Sequence, residues 1–165
     1  MGLFKQMELK DSIEINTTPE KIWEFFTNLE KNYKTWHPED HVIFKWVKGK
    51  PMKTGSSWYG EEYVDGKLIK GNGTIGEVIP NRKIVFKSTF PSSIASPGFE
   101  WRIEAKGQKS VFTAVSYIRA ERIMRLLLKI FHPEYKGMEG LIKIGAKHVK
   151  EEGENLKKIL ESENN

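Results

Sequence analysis

Apolar and polar positions alternate with period two through most of the middle of the chain and with a helical period at both ends, which predicts a sheet framed by helices. Met7 to Asn16 alternates loosely through Leu9, Ile13 and Ile15 and predicts a first strand. Thr17-Thr18-Pro19-Glu20 then carries a helix start: a Thr cap, Pro at the first helical position and an acidic first turn. Ile22, Trp23, Phe25, Phe26 and Leu29 give that helix a bulky apolar face, ending near Leu29. Residues 30–40 (EKNYKTWHPED) predict a broken helix or ordered loop that Pro38 stops.

Strand signals follow. Val42, Phe44 and Trp46 alternate with Ile43, Lys45 and Val47, and Gly49-Lys50-Pro51 ends the run. Ser56 to Val64 and Leu68 to Ile79 predict two strands joined at Asp65-Gly66, residue types that tolerate positive φ in a tight hairpin turn. Pro80-Asn81 turns into a strand over Arg82 to Thr89, a Pro/Ser loop covers Phe90 to Pro97, and a last hairpin pairs Phe99–Ala105 with Val111–Arg119. Glu121 to Phe131 predicts a short helix, and Met138 to Glu161 a long final one.

The final helix holds the most informative residues. Its apolar stripe runs Leu141, Ile144, Gly145, His148, Val149, Glu152, Leu156, Ile159, so His148 and Glu152 fall one turn apart where Leu or Ile would otherwise sit. An ionised carboxylate buried without a partner is costly. The pair therefore needs each other, a cation or a water-filled cavity. Seven strands, each with one apolar face, and one long amphipathic helix predict an α+β helix-grip fold. In it a curved antiparallel seven-stranded sheet wraps around the C-terminal helix, short helices lie near the N-terminus, and a cavity is left between sheet and helix. The whole chain, 1–165, is read as a single domain of this kind.

Composition narrows the classes. Hydrophobic content of 38% with five Trp and nine Phe argues against disorder. The net charge of +5 is spread along the chain rather than blocked, which argues for solubility and against nucleic-acid binding. Without cysteine there are neither disulfides nor thiolate ligands. The N-terminus has no long apolar run and no stretch reaches spanning length, so the expectation is a cytoplasmic protein. GNGTIG lies within a hairpin strand and does not open a helix, so it is no dinucleotide motif.

The pattern of INTTPEKIWEFFTN, six strands and a long final helix resembles the START-like, polyketide-cyclase and birch-allergen superfamily. Three segments sharpen it: YKTWHPEDH (33–41), EEYVDGK (61–67) and HVKEEGENLKK (148–158) resemble the phloretin/diacetylphloroglucinol hydrolase branch. That resemblance implies a zinc held by two His and two Glu, and cleavage of a carbon–carbon bond between an acyl group and a phenolic ring. Carried over residue by residue, the ligands are His41, Glu62, His148 and Glu152, with Tyr33 orienting the phenol. The chain is shorter than those hydrolases, and their other substrate-gripping residues have no matching positions here.

The residues themselves leave choices open. His37 competes with His41, or stands behind it as a supporting residue. Strand parity groups Trp58, Gly60, Glu62 and Val64 on one face and Tyr59, Glu61 and Tyr63 on the other, which favours Glu62 over Glu61 by a narrow margin. Two imidazoles and two carboxylates suit Zn²⁺ and other divalent transition metals. Four protein ligands require five-coordination or one Glu acting as a base, so Glu62 and Glu152 are the candidate catalytic groups. Tyr33, Trp36 and Trp58 are the candidate substrate-binding residues, though large aromatics more often simply fill a core. His132 is read as a surface loop residue.

The leading expectation is thus a metal-dependent hydrolase for a small aromatic or acyl-bearing molecule. Its rival is a non-catalytic carrier of an apolar small molecule or lipid. The basic amphipathic stretch over 119–131 is read as a lid rather than a membrane anchor. A homodimer is compatible with everything in the sequence.

Overall fold

The computed structural model describes residues 6–119, 126, 130 and 136–162. In chain order the elements are β1 (Gln6–Ile15), α1 (Pro19–Thr27), α2 (Leu29–Trp36), β2 (His41–Lys48), β3 (Ser57–Val64), β4 (Lys67–Ile79), β5 (Lys83–Ser88), β6 (Gly98–Lys106), β7 (Lys109–Arg119) and α3 (Met138–Ser162). The strands form one antiparallel seven-stranded sheet in the order β1-β7-β6-β5-β4-β3-β2. Helix α3 packs on it against β1, β3 and β7 and touches α2, which is the helix-grip arrangement expected from the hydrophobic pattern.

Local chemistry fixes the frame. Thr18 caps α1, its hydroxyl accepting from the Lys21 N–H, and Pro19 occupies the first turn. Asp65 and Gly66 adopt φ of 52° and 74°, the left-handed pair that a two-residue hairpin between β3 and β4 requires. The core is aromatic: the Phe26 ring stacks on Trp101 at 4.1 Å, and Trp36 meets Trp101 edge-on at 5.5 Å. From the helix side Leu156 and Leu160 close this core and are almost fully buried.

Three expectations need correction. The segment after α1 is not broken: α2 runs as a regular helix from Leu29 to Trp36, because Leu29, Tyr33 and Trp36 give it a buried face. On α3 the deepest line is Val149, Gly153, Leu156 and Leu160 rather than one ending at Ile159. The helix is rolled toward β1, where Gly153 lies against Ile13 and Gly145 so near Leu9 that a Cβ would sit 2.8 Å from its methyl. In β2, strict alternation fails at the start of the strand. Register shifts between His41 and Ile43. The irregularity puts His41 on the inner face with Phe44 and leaves Val42 outside. The expected helix over 121–131, and His132 beyond it, lie outside the described residues apart from Leu126 and Ile130, which are exposed.

Leu156→Ala should destabilise the protein by about 2–5 kcal/mol, the cost of a buried leucine and the void it leaves. Urea unfolding reads this directly. Lys150→Ala on the exposed face of the same helix should stay within about 0.5 kcal/mol of the parent.

Candidate metal centre

The α2–β2 junction delivers the first donor. Pro38 ends the helix, and the N–H groups of Asp40 and His41 both donate back to the His37 carbonyl, at 3.1 and 2.8 Å. That tight turn starts β2 at His41. In the antiparallel register His41 lies directly opposite Glu62 on β3, so the two side chains share a face. Helix α3 brings His148 and Glu152 down on the same spot, one turn apart. The Trp36 indole N–H fastens the helix there by donating to the Glu152 carbonyl at 2.8 Å.

Four donor atoms, one each from His41, Glu62, His148 and Glu152, lie within 4.8 Å of one another. His41 Nε2 is 3.0 Å from Glu152 Oε1 and 3.7 Å from Glu62 Oε2. His148 Nε2 is 3.8 Å from Glu62 Oε2 and 3.9 Å from Glu152 Oε1. The outer nitrogens have neighbours of their own. His41 Nδ1 is 2.9 Å from the Tyr33 carbonyl, to which it donates when protonated, and its ring is stacked flat on the Tyr33 phenol at 3.9 Å. His148 Nδ1 faces Asp40 Oδ2 at 3.4 Å. With Nδ1 carrying the proton, each imidazole turns an electron pair on Nε2 toward two carboxylates. Electron pairs converging in this way need a shared positive charge, a proton or a cation, between them.

The electrostatics follow this geometry. Burial works against ionisation of Glu62, but His148, then the charge of His41 and the Tyr33 hydroxyl at 2.9 Å, outweigh it and hold the carboxyl below its usual range. Burial likewise opposes protonation of His148, yet Glu62, Glu152 and Asp40 together push it up to about 9. Burial and the charges of Glu62 and Glu152 drive the Tyr33 phenol far above its ordinary range, so it stays protonated and donates to Glu62.

The cluster forms the polar end of a cavity of about 150 Å³ between sheet and α3. Tyr33, Glu62, His148 and Glu152 face it at that end; Phe44, Trp58, Phe99 and Trp101 wall the rest. All of the sequence-derived site residues therefore converge. Trp36 and Trp58 both line the cavity, but the Trp36 N–H is engaged by Glu152, leaving only its surface for a ligand. Glu61 points to the other face of β3, bonded to Tyr59 and 3.1 Å from Lys70. His37 is not among the inner four; it lies behind them with its ring 5.5 Å from that of His148. Asp40 carries no signal of its own in the sequence pattern, although it sits beside His41 in the same tight turn.

The raised value for His148 carries a signed consequence for the metal-free protein. In the unfolded chain the ring titrates near 6.5, roughly, so its protonation stabilises the fold fully below that pH. This contribution is lost as pH rises through about 9. Histidine-detected NMR should find this ring still protonated at neutral pH, and Glu62→Gln should lower its midpoint. A midpoint at or below about 6.5 would contradict the described pairing.

Comparison with other proteins agrees with this architecture. No curated protein matches the chain in sequence. Among solved structures, the Zhui aromatase/cyclase from Streptomyces sp. R1128 superposes with a TM-score of 0.72 at 14% identity, covering 98% of this chain and 97% of that one. TTHA0849 from Thermus thermophilus gives 0.70 at 13% identity, covering 96% of this chain and all of the other. The major latex-like protein 151 of Panax ginseng gives 0.68 at 12%, covering 94% and 97%. At such identities the likeness is one of fold. A family model described as activator of Hsp90 ATPase homolog 1-like protein matches residues 16–121. The chain belongs to that family, and through it to the START-like superfamily.

Proposed function

We propose that this chain is a metal-dependent hydrolase acting on a small aromatic, acyl-bearing molecule in its internal cavity. The carrying observation is that four donors from separate segments of the chain converge within 4.8 Å at the polar end of an apolar cavity. Ligand atoms about 2.1 Å from a tetrahedral ion stand about 3.4 Å apart, and the separations of 3.0–3.9 Å bracket that spacing. His148 Nε2 is buried with no hydrogen-bond partner, as a ligand nitrogen would be. Two carboxylates and two neutral imidazoles carry a charge that a divalent ion cancels, and nitrogen with oxygen donors suits Zn²⁺ or another divalent transition metal. Such an ion, when bound, supplies Lewis acidity for a carbonyl and acidifies water.

The chain's own residues do the rest. Glu62 is the more exposed of the two carboxylates, 32% against 14% for Glu152, and is the one placed to move a proton. Tyr33 holds it by hydrogen bond where a substrate oxygen would arrive. The resemblance to acyl-phenol hydrolases implies water addition across an acyl–aryl bond: hydroxyl to the acyl carbon, proton to the ring carbon. Glu62 would take that proton from water and return it to the ring. A partly open cavity of about 150 Å³ is on the scale of a single aromatic ring, which favours a monocyclic substrate.

One observation favours a second reading, a non-catalytic carrier. Tyr33 with Glu62, and His41 with Glu152, also satisfy each other without an ion, and apart from Ser116 the remaining walls are apolar. Metal analysis of protein made without a chelating tag separates the two. The hydrolase predicts bound divalent metal, with Glu152→Gln lowering the content by one equivalent. Glu62→Gln should retain the fold and reduce turnover of monocyclic acylphenols by about 10²-fold or more. A metal-free protein that copurifies with an apolar molecule would establish the carrier instead.

A further inference from the structure

His37 is the feature that the inner cluster leaves unexplained. Its side chain is only 9% exposed, yet neither ring nitrogen has a hydrogen-bond partner. Buried polar atoms of this kind are rarely left unsatisfied, and each calls for a specific partner. Its Nδ1 lies 3.7 Å from Asp40 Oδ2, and the same oxygen lies 3.4 Å from His148 Nδ1. Both are too long for good N–H···O bonds. They are the spacing expected between ligands that share an ion. One atom from each of His37, Asp40 and His148 falls within 4.8 Å of the others.

The surroundings favour a cation. These three side chains border an outward-facing pocket of about 320 Å³ whose other walls carry Glu39, Asp65 and Glu151 against one cation, Lys147, already 3.6 Å from Glu151.

We infer that His37, Asp40 and His148 Nδ1 form a second divalent-cation site at the mouth of the cavity, so that His148 bridges an outer and an inner ion through its two nitrogens. The second cation takes the place of the Nδ1 proton, which leaves to solvent. The donor set, two imidazole nitrogens and one carboxylate with an open outer side, suits Zn²⁺, Cu²⁺ or Co²⁺. The outer site shares His148 with the inner one proposed above but rests on atoms of its own.

Titration of chelator-stripped, tag-free protein with Cu²⁺ alone tests this. Wild type should bind about two equivalents, and both His37→Gln and Glu152→Gln about one each, by removing different ions. Thermal unfolding of the metal-free variants checks that they fold. A second readout needs no variant: two Cu²⁺ ions bridged by one imidazolate couple magnetically, so the electron paramagnetic resonance signal per copper should fall as the second equivalent is added. A single equivalent, unaffected by His37→Gln and lost in Glu152→Gln, overturns the outer site and leaves the inner one standing. A single equivalent lost in His37→Gln and kept in Glu152→Gln supports the outer site while sinking the inner reading. No binding overturns both.

Discussion

Two carboxylates carried into a seam between helix and sheet must be compensated, and the manner of their compensation organises everything around them. Glu62 and Glu152 could be satisfied by lysines reaching in from the surface, as Glu14 is by Lys106 and Lys109 at the far side of the sheet. Instead they meet two imidazoles whose outer nitrogens already face the Tyr33 carbonyl and the Asp40 carboxylate. A lysine is a fixed cation that fills the space it neutralises. An imidazole offers a lone pair and leaves the positive charge to be supplied, by a proton or by a metal ion. On the proposed reading, the choice of histidine is what makes the seam a binding site and not merely a buried ion pair.

Holding that arrangement requires three segments to agree in position, and each is pinned by backbone chemistry rather than by the site itself. The turn after α2 closes on the His37 carbonyl. The β2–β3 register sets His41 against Glu62. Glycines at 145 and 153 let α3 settle onto β1, and the Trp36 indole locks its height at Glu152.

Much of this was legible in the sequence because the signals were local. Asp65-Gly66 and Thr18-Pro19 name their own turns, and an imidazole and carboxylate one turn apart on an apolar stripe announce a buried polar pair. Strand parity favoured Glu62 over Glu61 by a narrow margin, and the family resemblance pointed the same way. What could not be read was non-local or irregular. Period-two reasoning puts His41 on the face opposite Phe44, and only the slip in register at the strand's start reverses this. The roll of α3 toward β1 depends on what two glycines meet across the gap, which no periodicity encodes. Asp40 gave no signal, and His37 was legible only as a rival to His41 or a support behind it, for a related reason: what both residues face is His148, more than a hundred residues away.

The same seam sets the scale and character of whatever enters. The polar end is concentrated at one pole of a small cavity, and the opposite walls are rings: Phe44, Trp58, Phe99 and Trp101. On the proposed reading, a ligand lays its apolar body against these flat surfaces and directs one oxygen at the charged pole. A ligand that displaces water from that pole lowers the effective dielectric there and strengthens every interaction it makes. On the proposed reading, a polar cluster at one end and aromatic rings at the other suit an oxygen-bearing aromatic presented to the cluster end-on.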